Sequence, residues 1–137
     1  MEEKNLVYGN WNSDTEYEWI SLSPQGGLAA AEDNAKRFTI PGTDCTVVLN
    51  LINKTYDLVL AKERPTHSHK HEQIIIFVEG DGDAVVDGKH YPLTDGSFIV
   101  VPPNVEHKVD CRSTTKNIIN FDIFTPTRNE YVVKKQK

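Results

Sequence analysis

The chain has 137 residues, of which 38% are hydrophobic and 26% charged, a composition typical of one globular domain with a sizeable core rather than of a disordered segment. Its formal net charge of −5 argues against nucleic acid as a partner, because phosphate binding needs a basic surface. The longest apolar run, residues 74–78, is too short to span a bilayer, and no secretion leader is visible. We therefore expect a cytoplasmic protein with no membrane partner, in which Cys45 and Cys111 are reduced.

The first 45 residues are interpreted as an N-terminal extension that packs on the rest of the domain or on a dimer partner. Within it, residues 28–37 (LAAAEDNAKR) have a helix-forming composition and follow a segment rich in proline and glycine. This stretch fits either one short helix or an insertion loop. Aromatic residues of the extension are expected to cover barrel edges or a dimer interface rather than to bind a ligand; they are Trp11, Tyr17 and Trp19.

Short apolar segments separated by turn signals follow the extension and predict strands near residues 46–53, 56–62, 73–79, 83–86, 89–93, 97–101, 106–111 and 117–124. Asp87 and Gly88 lie between two of these segments and predict a tight hairpin, because glycine tolerates positive φ. Many short strands without a sustained helical period predict an all-β sandwich or small barrel. We assign the barrel to residues 46–131 and a C-terminal tail to residues 132–137.

Three histidines and one further polar residue have a spacing suited to one metal ion. His67 and His69 stand two residues apart, which in a strand places both imidazoles on one face. His107 comes from a distant strand and can close the site from across a barrel. For the fourth ligand, Gln73 is preferred because it shares strand parity with the first two histidines, whereas Glu72 carries a charge but points the other way.

This ligand set has chemical consequences. Three imidazoles and an amide oxygen are neutral, so a divalent cation keeps its full charge and acts as a Lewis acid. Zn, Ni, Mn and Fe(II) all accept such ligands, and the residues do not select among them. His71 shares the parity of the ligands, so a bulge or turn near Lys70 must divert it to a position beside the site. His90, close to the hairpin turn, is expected to be exposed.

The segments HSHKHEQIIIFVEG and DGSFIVVPPNVEH resemble the two sequence motifs of the cupins, small jelly-roll barrels built as a double-stranded β-helix. The first motif is matched, with glutamine where many cupins have glutamate, by His67, His69, Gln73 and Gly80. The second is matched by Gly96, Pro102, Asn104 and His107. Asn104 replaces the usual glycine, which is tolerable because asparagine adopts the left-handed conformation more readily than most residues. Ala61 stands where the first motif commonly begins with glycine. The resemblance implies the cupin fold and its metal.

A narrower resemblance is to the small pectin-degradation cupins, through HSHKHEQ, PPNVEH and the C-terminal segment DIFTPTR. Those proteins hold a metal with three histidines and one glutamine, and they open the ring of 4,5-unsaturated uronates to a linear ketouronate. By this resemblance Asp122, Phe124 and Arg128 serve the catalytic site. Asp122 would move a proton, Arg128 would bind the substrate carboxylate, and Phe124 would pack against the sugar. A competing interpretation makes Asp122 and Arg128 a structural pair.

Three classes of function remain open at this point. The first is ring opening of an unsaturated uronate or a similar acidic sugar. The second is another cupin reaction, either a dioxygenase acting on an enediol or flavonol, which a metal-bound Glu72 would favour, or a polyketide-cyclase-like enzyme with a wider and more apolar cavity. The third is a sugar- or small-ligand-binding barrel with a structural metal. A homodimer is expected in each case, because pairing covers exposed strand edges.

Overall fold

The computed structural model of the protein describes residues 6–13, 16–21, 35–53, 65–111 and 116–134. Within these ranges the chain forms one turn of 3-10 helix (Asn129–Tyr131) and the strands β1 (Ile20–Ser21), β2 (Ala35–Pro41), β3 (Thr46–Ile52), β4 (Glu72–Glu79), β5 (Gly82–Val86), β6 (Lys89–Leu93), β7 (Phe98–Val101), β8 (His107–Cys111) and β9 (Ile118–Thr125). The all-β prediction is confirmed. Among the described residues there is no helix long and apolar enough to cross a membrane.

The strands form two antiparallel sheets around a shared core. The larger sheet has the order β1-β2-β3-β9-β4-β7 and the smaller one the order β6-β5-β8. Side chains from both sheets form the buried cluster between them, which consists of Ile75, Phe77, Ala84, Leu93, Val101 and Ile118. This arrangement is consistent with the jelly-roll barrel that the sequence motifs imply.

The strand prediction is confirmed wherever it can be compared. Each predicted strand within the described ranges is observed, with its ends displaced by no more than one residue; the predicted strand at residues 56–62 lies outside them. Asp87 and Gly88 have φ values of 50° and 79° and join β5 to β6 in the expected tight turn. Asn104 has a φ of 66°, so it adopts the left-handed conformation expected of it.

The N-terminal region contributes more to the main sheet than its sequence suggests. Strand β2 pairs along its whole length with β3, although it precedes residue 46, where the barrel was expected to begin. The helix considered for residues 28–37 is therefore wrong for Ala35, Lys36 and Arg37, because pairing with a neighbouring strand outweighs their helix propensity. Residues 28–34 lie outside the described ranges.

A second apolar cluster covers the outer face of the larger sheet. Tyr17, Phe38 and Leu49 are buried there, and Trp19 packs against them. The indole N–H of Trp19 donates to the carbonyl of Trp11 at 2.9 Å. The aromatic residues of the N-terminal extension thus cover a sheet face, and β3 and β9 carry apolar packing on both sides.

Candidate metal centre

The three histidines predicted as metal ligands meet in space. His67 and His107 form an isolated antiparallel bridge, in which each backbone N–H donates to the other residue's carbonyl at 2.9 and 2.8 Å. The chain bends at Lys70 and His71 before β4 begins, which brings His69 beside this pair. One ring nitrogen from each of the three histidines lies within 4.8 Å of the others. This cluster of described side chains could therefore hold a metal ion.

Gln73 brings a fourth donor atom to the same point. Its side-chain oxygen Oε1 is 3.1 Å from Nε2 of His69 and 3.0 Å from Nε2 of His107. Two ligand atoms bound at right angles to one cation, each at about 2.1 Å, are about 3.0 Å apart, so these separations suit ligation. Glu72 precedes Gln73 on β4 and therefore points to the opposite face of the strand.

Hydrogen bonds fix the tautomer of two of the rings. Nδ1 of His69 is 3.0 Å from the carbonyl oxygen of His71, and Nδ1 of His107 is 2.8 Å from that of Val105. A carbonyl only accepts, so Nδ1 of each ring carries the proton and Nε2 of the neutral imidazole presents a lone pair. Burial, the largest influence, lowers the pKa of His107, which favours the neutral ring.

In the neutral tautomer that these carbonyl contacts select, three acceptor atoms converge. They are Nε2 of His69, Nε2 of His107 and Oε1 of Gln73, and their lone pairs repel one another unless a cation lies among them. The residues therefore fit a divalent metal. A donor set of imidazoles and one amide oxygen suits Zn, Ni, Mn or Fe(II).

The orientation of the Gln73 amide is set by Asp122. The Asp122 carboxylate accepts hydrogen bonds from the Gln73 side chain, from Nδ2 of Asn50 at 2.9 Å and from Nδ2 of Asn120 at 3.3 Å. An ionised carboxylate accepts but does not donate, so Gln73 turns its NH₂ toward Asp122 and its oxygen toward the histidines. Burial raises the pKa of Asp122 to about 6, while these hydrogen bonds and the charge of Arg128 act in the opposite direction.

Phe124 lies between the histidines and Arg128. Its ring meets that of His69 edge-on with centroids 5.8 Å apart, and the guanidinium of Arg128 lies 5.0 Å from the ring centre. The side chain is 3% exposed, which leaves little of it to contact a sugar. Its observed contacts hold a metal-ligand candidate and a cation in fixed relation, and its packing against a sugar stays a prediction.

Arg128 is anchored at several points. Its Nε donates to Oε1 of Glu130 at 2.8 Å, and its backbone N–H donates to the hydroxyl of Thr46 at 2.8 Å. Its charge also acts on the pKa values of Asp122 and His107, so it lies within electrostatic reach of the centre. A cation held this way is suited to bind an acidic ligand.

The two remaining histidines behave as the sequence predicts. His71 is buried beside the centre, where its Nε2 donates to the carbonyl of Thr127 at 3.1 Å while its own carbonyl accepts from His69. It thereby links the histidine motif to the segment that carries Arg128. His90 has an exposed ring, 2.6 Å from a carboxylate oxygen of Asp83.

Sequence reasoning missed Asn50 and Asn120. Both are buried, with 9% and 5% of their surface exposed, and they lie directly opposite each other on β3 and β9. A signal was present, because Asn50 and Asn120 each stand between apolar neighbours in a strand. A buried amide in such a position needs hydrogen-bonding partners, which points to a polar cluster inside the barrel.

Comparisons with known proteins agree with this architecture. The model of the family described as "Cupin domain" matches residues 58–124. An RmlC-like cupin from Shewanella frigidimarina is 27% identical over 72% of this chain and 82% of its own, with a TM-score of 0.56. KdgF from Halomonas sp. is 19% identical over 91% and 96%, with a TM-score of 0.63. Ectoine synthase from P. lautus is 17% identical over 90% and 80%, with a TM-score of 0.60. The last two likenesses concern the fold alone. No curated protein matches the chain.

Proposed function

We propose that this protein, whose fold and family match support a place in the cupin superfamily, is a metal-dependent enzyme that opens the ring of an unsaturated uronate or a similar small sugar acid. One observation carries the proposal: the C-terminal residues singled out by the sequence are contiguous with the metal-ligand candidates. Asp122 accepts a hydrogen bond from Gln73, and the Phe124 ring separates His69 from Arg128.

Arg128 would bind the carboxylate of the substrate. The contact with Glu130 supports this role, because it demonstrates that a carboxylate fits against this guanidinium. Glu130 itself is exposed, so it can exchange its place with an incoming anion. A planar guanidinium can bind a carboxylate through two parallel N–H···O bonds and so fix the orientation of the sugar ring.

Asp122 would move the proton. Ring opening of such a substrate takes a proton from the anomeric hydroxyl as the ring C–O bond breaks, and the enolate that forms gains one at carbon, so the balance of protons is zero. With a pKa raised to about 6 by burial, Asp122 can accept and return a proton near neutral pH. A divalent cation held by His67, His69, Gln73 and His107 would supply Lewis-acid polarisation of a substrate oxygen.

The competing cupin reactions receive less support. A dioxygenase would be favoured by a carboxylate ligand, yet the oxygen that faces His69 and His107 belongs to Gln73. The neutral set favours polarisation of a substrate oxygen over redox cycling. A polyketide-cyclase-like enzyme and a ligand-binding barrel are the functions that remain if the test below fails.

The test is an ultraviolet time course with 4,5-unsaturated galacturonate. Metal-loaded protein should make the absorbance of the conjugated double bond decay faster than in buffer, and Gln73→Ala and Asp122→Ala should slow that decay. Equal decay with and without protein, with metal shown to be bound, would refute the function.

We also propose that two copies of the chain associate through the outer face of β4 and β7. Val78, Phe98 and Val100 are exposed there, with 50%, 72% and 46% of their surface accessible. They lie on neighbouring strands, of which β7 is the sheet edge among the strands that the structure describes. Burying this patch in a homodimer would cover both the apolar side chains and the edge.

A further inference from the structure

We infer that Asp122 favours a neutral glutamine over a charged glutamate as the metal ligand at position 73. Its carboxylate orients the Gln73 amide and would repel a glutamate at that position. The inference rests on the metal centre of the proposed function but not on its substrate. It assigns Asp122 a positioning role besides its proposed catalytic one, and it makes Asn50 and Asn120 part of the support of the centre.

The geometry that carries this inference spans three neighbouring strands. Asn50 on β3, Asp122 on β9 and Gln73 on β4 share the inner face of the larger sheet, where Asn50 and Gln73 are 9% and 7% exposed. Asn50 donates to one carboxylate oxygen of Asp122 at 2.9 Å, and Asn120 donates to the other at 3.3 Å. The carboxylate is thus held in place from two sides while it accepts from Gln73.

In this arrangement the negative charge of the site lies on Asp122, which contacts the ligand Gln73 and is not itself a ligand candidate. A glutamine amide has a donor end and an acceptor end, and Asp122 occupies the donor end, which leaves the oxygen for the cation. A glutamate at position 73 would offer Asp122 a second carboxylate, and two adjacent carboxylates disfavour each other's ionised form. Such a glutamate would have to release a shared proton before it could bind metal.

The inference predicts that Asp122→Asn has opposite effects in two backgrounds. With the native Gln73, the substitution replaces one of the two acceptor oxygens with an NH₂ donor, so residue 122 can no longer accept from Gln73, Asn50 and Asn120 together. Metal binding should weaken by about 10–100-fold, the usual effect of losing a residue that orients a ligand. Combined with Gln73→Glu, the same substitution replaces a repelling carboxylate with an amide donor, so the double variant should bind metal more tightly than Gln73→Glu alone.

The experiment measures the dissociation constant for Co²⁺ at pH 7, by competition with a chromophoric chelator. Metal-free wild type, Asp122→Asn, Gln73→Glu and the double variant are compared, and the visible absorption of Co²⁺ reports the ligand set. Glu72→Gln is the matched control, because it removes a neighbouring carboxylate that points to the opposite face of β4, and its affinity should equal that of wild type.

The inference would be overturned if Asp122→Asn weakened Co²⁺ binding both with Gln73 and with Glu at position 73. Asp122 would then act on the metal only through its negative charge. An unchanged affinity with native Gln73 would overturn it as well. Asn50→Ala provides a second test if Asp122→Asn does not fold: it leaves both Asp122 and Gln73 in place and should weaken Co²⁺ binding several-fold, and wild-type affinity would contradict the inference. Because no measurement involves turnover, failure to open uronates would leave this result standing.

Discussion

Replacing Asp122 with asparagine should make the metal-free protein less sensitive to pH. Burial raises the pKa of this carboxyl from 3.8 to about 6 in the folded chain, so the folded state binds more protons than the unfolded state between about pH 4 and pH 6. The stability linked to Asp122 is therefore fully present below about pH 4 and is lost as pH rises through about 6. The loss amounts to about 3 kcal/mol.

The assay is urea unfolding of wild type and Asp122→Asn in the presence of a chelator, at intervals from pH 4 to pH 7. Relative to the variant, wild type should lose about 3 kcal/mol of unfolding free energy over this range. The difference in unfolding free energy between the two proteins therefore shifts in favour of the variant as pH rises. Comparing changes with pH removes any fixed cost of the asparagine itself.

Asp95 offers a control of opposite sign. Its carboxylate accepts from Lys116 at 2.7 Å and from the backbone of Gly80 at 2.8 Å, and the Lys116 hydrogen bond is the main cause of its lowered pKa. Its contribution is present above the unfolded pKa and is lost on acidification. Asp95→Asn should therefore lose ground to wild type as pH rises toward about 4, below the range in which Asp122 acts, so the unfolding series for this control extends below pH 4. A pH-independent difference between wild type and Asp122→Asn, or one that grows in favour of wild type as pH rises, would refute the reasoning.

Three further predictions concern substrate binding, the fold and assembly. Arg128→Gln should lower kcat/KM for the uronate by about 30–150-fold through loss of a charged hydrogen bond worth about 2–3 kcal/mol, while Glu130→Gln should lower KM because it removes a competing carboxylate; steady-state kinetics that reverse these directions would contradict the role of Arg128. His71→Leu should reduce the free energy of unfolding by about 1–3 kcal/mol, because the carbonyl of Thr127 loses its donor, and urea unfolding at constant pH checks this against wild type. Phe98→Ser should shift a dimer toward monomer in size-exclusion chromatography with light scattering, and an unchanged mass would place the interface elsewhere.

The strands and turns of the barrel are predictable from sequence because their signals are local. Residues 89–93 follow a turn in which Asp87 and Gly88 adopt positive φ, and on β4 the alternation of side chains fixes which face is buried. The same parity places Gln73 rather than Glu72 near the histidines. These features depend on neighbours within a few residues along the chain, so a pattern reveals them.

Features that depend on distant partners are not predictable in this way. Ala35 and its neighbours have helix-forming composition, yet seven residues of β2 pair with β3, an interaction that no local propensity reports. The burial of Phe124 against Arg128 depends on how the chain continues after β9. The cluster around Asp122 requires the register between β3 and β9, which pairs Asn50 with Asn120.

The three histidines differ in how far they are covered, since His67 is exposed, His69 intermediate and His107 buried. A metal ion exchanging between solvent and protein would then enter and leave on the side of His67. The outermost imidazole can turn toward solvent while the inner two keep their backbone contacts, so a competing chelator would meet His67 first. The rate at which metal leaves would depend mainly on this one ring, whereas the equilibrium affinity would depend on the enclosed donors behind it.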